Sequence, residues 1–128
     1  MAQDIRQYSP LTLAFLGDAV YELFVRDMIV GRGQRPAKAL HKDKVRYVNA
    51  KAQARVAAAI EPMLDETEAD MMRRGRSTRV GSSAKNASLS DYHRATGLEA
   101  LCGYLYMTGA SDRLRELLER GFEVLDES

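Results

Sequence analysis

The pattern of apolar and polar positions along the chain predicts helices. Ser9 followed by Pro10 is a good helix start, because serine caps the helix and proline suits its first turn. Apolar residues then continue from Leu11 to Val30, and Gly31 can end the helix. No segment shows the strict alternation of apolar and polar residues that predicts a β-strand.

Further helical segments are predicted along the rest of the chain. The stretch 75–88 is rich in Gly, Ser, Arg and Asn and is predicted to be a mobile loop. With no repeat or linker, we expect one all-α domain, a helical bundle over residues 1–128. The other predicted helices cover 37–60 in one piece or in two pieces around Asp43, 65–74, 90–107 with Ser90 as its cap, and 112–125 with Ser111 as its cap.

Composition narrows the class of protein. The chain has 128 residues, of which 45% are hydrophobic, so it can bury a core of its own. Its one cysteine, Cys102, cannot form an internal disulfide, which fits a reducing compartment, and its apolar neighbours predict an inert core position. The N-terminus lacks the apolar run of a signal peptide, and no run is long enough to span a bilayer. We therefore expect a cytoplasmic protein with no membrane partner.

The distribution of charge is uneven. The formal net charge is +1. Segment 32–55, however, holds eight Arg or Lys and one acid, and segment 73–86 holds five Arg or Lys and no acid. Two basic blocks in a nearly neutral protein are typical of a surface that binds a polyanion such as a nucleic acid. They are equally compatible with solvated helix faces, so charge alone leaves both interpretations open.

Two carboxylates stand in apolar helical segments. Asp18 lies in the segment 13–20 and Glu99 in the segment 97–103, and small residues flank both acids. An unpaired buried carboxylate is costly, so such residues usually pair, cap a helix or bind a metal. Small residues let two helices approach closely, and converging carboxylates suit a hard cation such as Mg²⁺. The alternative is that each acid is half-exposed or pairs with an arginine.

The same segments carry a family resemblance. The run Leu13–Leu23 resembles the signature helix of the ribonuclease III family, and Glu99–Tyr106 resembles that family's second catalytic helix. Segments 49–54 and 73–76 resemble the Mini-ribonuclease III subfamily, in which no double-stranded-RNA-binding domain follows the catalytic domain. The chain likewise stops just after its last predicted helix. The resemblance implies a ribonuclease III endonuclease domain that cuts double-stranded RNA, leaves 5′-phosphate ends and matures 23S ribosomal RNA precursor.

The resemblance also assigns roles to residues. It implies that Asp18 and Glu99 are the catalytic residues and the ligands of Mg²⁺, for which Mn²⁺ can substitute. Larger members carry further acids at the positions of Leu11, Ala14 and Thr96, so the number of metal ions is open. The basic segment 73–86 would replace the missing RNA-binding domain through phosphate contacts. The residues expected to bind RNA are Arg73, Arg74, Arg76, Arg79, Lys85 and Asn86.

The first predicted helix also suggests a homodimer. It is apolar on more than one face, so we expect a second copy of the chain to cover part of it. A twofold dimer would place two equivalent sites on the two strands of an RNA duplex. Glu22 is expected in a structural hydrogen bond or at this dimer surface. Two other functions stay open, a non-catalytic RNA-binding protein associated with the ribosome and a helical protein-interaction module.

Overall fold

The computed structural model describes residues 4–78 and 88–127, and these ranges contain helices and no strands. A short 3-10 turn, Ile5–Gln7, precedes the first α-helix, and a second turn, Glu61–Met63, follows the third. The all-α class predicted from the periodicity is therefore confirmed. The α-helices are α1 (Pro10–Gly31), α2 (Ala37–Val45), α3 (Ala50–Ile60), α4 (Glu66–Arg76), α5 (Leu89–Met107) and α6 (Ser111–Asp126).

Side-chain caps explain where several helices begin. The hydroxyl of Ser9 accepts hydrogen bonds from the first-turn amides of α1, as the sequence predicts. Asn49 accepts from the amide of Ala52 at the start of α3, and it divides the segment 37–60 into two helices. The division falls at residues 46–49, just after Asp43, because the cap lets a new helix start there.

Three predicted boundaries are wrong. Ser111 does not cap α6: it is the first residue of that helix, and Ala110 occupies the cap position without a side-chain hydrogen bond. Helix α5 starts earlier than predicted, because Ser88 and not Ser90 caps it by accepting from the amide of Asp91 at 3.0 Å. Helix α4 continues to Arg76, so Gly75 and Arg76 are helical and do not belong to the predicted loop. The glycine is helical because it packs against α5, where an added Cβ would lie only 2.8 Å from the Cβ of Ala100.

Helix α5 forms the centre of the fold, since α1, α3 and α4 all pack against it. Leu98, Leu101 and Cys102 on this helix are inaccessible to solvent. Burial raises the pKa of the Cys102 thiol, so the thiol stays protonated and inert, as predicted. Helix α6 closes the bundle on the other side of α3, where an added Cβ on Gly121 would overlap the side chain of Val56.

Helices α1 and α5 cross in direct backbone contact. A Cβ on Gly17 would lie 1.6 Å from the carbonyl oxygen of Glu99, and a Cβ on Gly103 would lie 2.0 Å from the carbonyl oxygen of Leu13. No side chain larger than hydrogen fits at either point. The two glycines therefore let the axes approach as closely as backbone atoms allow, and this crossing sets the position of the residues beside it.

A buried ion pair ties α6 to the start of α4. Glu68 is 4% exposed and accepts two hydrogen bonds from Arg113, both at 2.9 Å. Arg113 also donates to the carbonyl of Met63 at 2.7 Å, and Glu68 completes the capping box with Asp65.

In the described ranges no helix is both long enough and apolar enough to span a membrane.

Candidate active site

The crossing of α1 and α5 brings the two predicted carboxylates together. Asp18 follows Gly17 on α1, and Glu99 is the α5 residue whose carbonyl faces that glycine. The side chain of Asp18 is exposed, whereas that of Glu99 is largely buried. The sequence alone allowed the alternative that each acid is half-exposed or pairs with an arginine. Asp18 is exposed and Glu99 is only partly exposed, and Glu99 interacts with Asp18.

Glu99 is electrostatically unfavourable as an anion. Burial, the negative charge of Asp18 and a hydrogen bond that the protonated Glu99 donates to Asp18 together raise the pKa of Glu99 to about 8. Without a bound cation, these effects favour the protonated form of Glu99. Perturbed carboxylates of this kind are typical of active sites, where a bound cation or substrate restores the charge.

Gln53 on α3 is the third residue at this point. Its side chain is 5% exposed, and its Nε2 donates to Glu99 Oε2 at 3.3 Å. This hydrogen bond favours the charged form of Glu99 and partly offsets the raised pKa. Gln53 was not predicted from the sequence to have a functional role. The available signal was a single amide among the small and apolar residues of the buried face of α3.

An open cleft of about 760 Å³ leads to the two acids. Tyr92 and Thr96 line its α5 side, and the α1 side is mostly apolar. Phe15 in this lining is 85% exposed. The cleft therefore combines two carboxylates with an apolar rim that is uncovered in the single chain. Its remaining lining residues are Leu11, Ala14, Leu16, Asp18, Ala19, Glu22, Leu23, Arg26 and Glu99.

Glu22 and Thr96 do not complete a larger acidic cluster. The Glu22 carboxylate accepts from Arg26 Nε at 2.8 Å and lies 3.6 Å from the Lys44 ammonium, so it makes the structural hydrogen bond that was expected. Arg26 holds the pKa of Glu22 below its usual range. Thr96, which stands where larger relatives carry an acid, donates its hydroxyl to the carbonyl of Tyr92.

The donor set suits one kind of ligand. Among residues 4–78 and 88–127, no group of three or more His, Cys, Asp or Glu side chains is arranged to hold a metal ion. Asp18 and Glu99 offer carboxylate oxygens only, which suits a hard divalent cation that keeps several water ligands. A cation beside the pair would also relieve the repulsion between the two carboxylates.

Three of the predicted RNA-binding residues lie on α4. Arg73 pairs with Asp70 one turn earlier, Arg74 donates to the carbonyl of Arg6 at 2.9 Å, and Arg76 lies 3.6 Å from Glu61. Arg73 and Arg74 are helical as predicted, whereas Arg76 was predicted in the loop and is helical instead, so all three form the positive last turn of α4. The other predicted residues, Arg79, Lys85 and Asn86, lie outside the described ranges.

Helix α4 does not deliver these arginines to the carboxylate pair. It packs against α5 at Gly97, where an added Cβ would lie 2.6 Å from the carbonyl of Met72 and 3.2 Å from the amide of Arg76. Gly97 and Glu99 are two residues apart, which is about 200° around a helix. The arginines and the carboxylates therefore lie on nearly opposite sides of α5.

Known proteins share this sequence and fold. Residues 11–110 match the Ribonuclease III domain family. The Mini-ribonuclease 3 of Thermoanaerobacter sp. is 44% identical over 125 residues, which cover 98% of this chain and 88% of that protein. The Mini-ribonuclease 3 of Brevibacillus brevis is also 44% identical, over 98% of this chain and 94% of that protein.

A solved structure agrees with both comparisons. The crystal structure of protein FN1578 from Fusobacterium nucleatum superposes with a TM-score of 0.83 at 31% sequence identity, covering 92% of this chain and 96% of that one. The matched residues 11–110 include the α1–α5 crossing and both carboxylates. The chain therefore belongs to the ribonuclease III family, in its Mini-ribonuclease 3 branch, and is an endoribonuclease that acts on double-stranded RNA.

Proposed function

We propose that the protein is a Mg²⁺-dependent, cytoplasmic endoribonuclease that matures the ends of the 23S ribosomal RNA precursor. The observation that carries the catalytic part is the pair of Asp18 with the largely buried Glu99 at the end of an open cleft. A protein that only binds RNA has no use for a carboxylate whose anionic form burial and repulsion disfavour. The precursor substrate rests on the resemblance to the Mini-ribonuclease III subfamily.

Asp18 and Glu99 would hold the metal ion. When bound, a divalent cation activates a water molecule, neutralises phosphate oxygens and stabilises the leaving oxygen. Water and the RNA phosphate would fill the remaining coordination sites, because the described part of the chain offers only two acids at this point. Mn²⁺ can substitute, since it also accepts carboxylate and water oxygens.

The two acids have different surroundings, which suggests that they have different roles. Exposed Asp18 meets the solvent side of the cleft, where the scissile phosphate would arrive. Glu99 is less exposed, and its carboxylate would be fully ionised only when a cation is bound. No side-chain nucleophile is needed, because attack of water on phosphorus with loss of the 3′ oxygen leaves a 5′-phosphate and a 3′-hydroxyl.

Cleavage of long double-stranded RNA in Mg²⁺ or in EDTA tests the catalytic proposal. We expect Asp18→Asn and Glu99→Gln each to lower the cleavage rate by about 100-fold or more, which corresponds to ~3 kcal/mol of lost transition-state stabilisation. RNA binding should persist, since neutralising an acid does not repel phosphate. The matched control is Asp27→Asn, another exposed acid on α1, which pairs with Arg115 outside the cleft. Mg²⁺-independent activity, or near-normal turnover of either cleft variant, contradicts the proposal.

The arginines of α4 are proposed to contact RNA phosphates. Arg73 is 61% exposed and its partner Asp70 is 49% exposed. Such surface pairs contribute about 0–1 kcal/mol, so exchanging the carboxylate for a phosphate costs little. Arg73→Ala should reduce the log–log salt slope of RNA binding by about one unit in magnitude. Arg120→Ala, which removes an exposed arginine of α6, serves as the control, and an equal slope in both variants would exclude α4 from the interface.

A homodimer is proposed from the apolar rim of the cleft. Leu11, Phe15 and Leu23 of α1 are 43%, 85% and 61% exposed, which is a large uncovered apolar surface for one helix. A twofold dimer through this surface would give each RNA strand its own catalytic pair. A mixed dimer of wild-type and Glu99→Gln chains should nick one strand per binding event. A protein that light scattering finds monomeric while it is active would exclude the dimer.

A further inference from the structure

Gln53 occupies a position where the packing of α3 does not require a polar side chain. Its neighbours on the buried face are small or apolar, including Ala52, Val56 and Ala57. An amide costs free energy when it is buried, unless its hydrogen-bonding groups have partners. The partner of its Nε2 is Glu99, a residue 46 positions away on another helix. The buried amide therefore serves the active site.

The hydrogen bond acts on one of the two Glu99 oxygens. Oε2 accepts from Gln53, and the carboxyl group also interacts with Asp18. A glutamate side chain has several rotatable bonds, and ordering it has an entropic cost. Because α3 packs firmly against α5 and Gln53 is 5% exposed, the amide nitrogen is a fixed donor. It therefore restricts the rotation of the Glu99 carboxylate before any ligand arrives.

We propose that Gln53 is a positioning residue that holds Glu99 in the orientation needed to bind the divalent cation, an inference that rests on the proposed function. Outer partners of metal ligands act in this way, and their loss typically lowers metal affinity or activity about 10–100-fold. Because Gln53 is 5% exposed and donates to Glu99, it would act through Glu99 and not through a contact with the RNA. Its loss should therefore lower metal affinity and kcat while the KM for RNA stays the same.

The test compares two variants that lack the donor with one that only weakens packing. Gln53→Met preserves length, and Gln53→Leu changes shape, but neither can donate to Glu99. The control is Val56→Ala, one turn along α3, because Val56 is fully buried and packs against α6 at Gly121. Three quantities are measured: Mn²⁺ binding to the protein without RNA, by electron paramagnetic resonance; kcat and KM on double-stranded RNA; and the Tm.

We expect both Gln53 variants to bind Mn²⁺ about 10-fold more weakly and to lose a similar factor in kcat. Their Tm should stay at or near the wild-type value, since an apolar side chain suits the surrounding face of α3. Val56→Ala should lower the Tm and leave the Mn²⁺ affinity and kcat unchanged. This combination would separate positioning of Glu99 from general packing.

Other results would overturn the inference. Wild-type Mn²⁺ affinity in Gln53→Met and Gln53→Leu means that the hydrogen bond does not prepare the site. Equal losses of affinity and kcat in Val56→Ala mean that α3 packing is responsible. If the wild-type protein does not cut RNA in Mg²⁺, the proposed function fails, while the Mn²⁺ titrations without RNA still decide the role of Gln53.

Discussion

Replacing Glu99 by glutamine should make the metal-free protein more stable at pH 8 than the wild type. Burial and the negative charge of Asp18 raise the pKa of Glu99 from 4.5 to about 8 in the folded protein. Between these two values the folded state binds a proton that the unfolded state has released. The free energy of unfolding must therefore fall as the pH rises through this window, and the Glu99 contribution is fully present only below about pH 4.5.

The pH range between the two pKa values of Glu99 sets how much stability is lost. Each pH unit removes up to about 1.4 kcal/mol. The side chain of Glu99 is not fully buried, so water that reaches it and small movements of the Asp18 side chain will make the total loss of stability smaller than this limit. We therefore expect about 2 kcal/mol of stability to be lost between pH 5 and pH 8. A glutamine side chain cannot ionise, so the Glu99→Gln variant should not show this loss.

Chemical denaturation in EDTA at pH 5 and at pH 8 measures the effect. Other titrating groups are the same in both proteins, so the difference between wild type and Glu99→Gln isolates this carboxyl group. Asp27→Asn, whose carboxylate pairs with Arg115 on the surface, should follow the wild type at both pH values. Addition of Mg²⁺ at pH 8 should restore the stability of the wild-type protein and leave the stability of Glu99→Gln unchanged. If the free energy of unfolding changes equally with pH in wild type and Glu99→Gln, then Glu99 does not have a raised pKa and the reasoning is refuted.

Two further predictions concern the fold that supports the site. Gly17→Ala should lower the free energy of unfolding by at least ~1–3 kcal/mol and abolish cleavage, because its Cβ would overlap the Glu99 carbonyl, whereas Gly31→Ala in the same helix meets no atom within 4 Å and should be neutral or stabilising by denaturation. Arg113→Met should cost ~3–5 kcal/mol because it leaves Glu68 buried and unpaired, while Arg120→Met, in an exposed pair, should change thermal unfolding little. Equal effects within either pair of variants would contradict the packing described above.

The start of α1 and the two acids that meet at the α1–α5 crossing could be predicted from the sequence because their signals are local. Ser9 and Pro10 carry the capping chemistry in adjacent positions, and Asp18 and Glu99 are acids within apolar helical segments. The role of Gln53 could not be predicted in the same way. It depends on a contact with a different helix, and only the packing of α3 on α5 brings the two residues together.

The wrong predictions at Gly75 and at Ser90 have different physical origins. Gly75 looks like a helix breaker, and in isolation a glycine does weaken a helix. Here it is kept because α4 needs a residue without a side chain where it meets Ala100. The choice between Ser88 and Ser90 as a cap was also undecidable locally, since both are serines ahead of a helical pattern. Tertiary packing decided the first case, and one hydrogen bond to the amide of Asp91 marks the second.

The backbone contact at Gly17 and Gly103 fixes how closely the helices that carry Asp18 and Glu99 approach each other. Helices held apart by side chains can slide or settle slightly when a core residue changes, because side chains rearrange. Backbone atoms already in contact have no such freedom to come closer. Substitutions elsewhere in the core can then accumulate without shortening the gap between Asp18 and Glu99. The spacing of the acids is protected by a steric limit, and the rest of the core is left to vary around it.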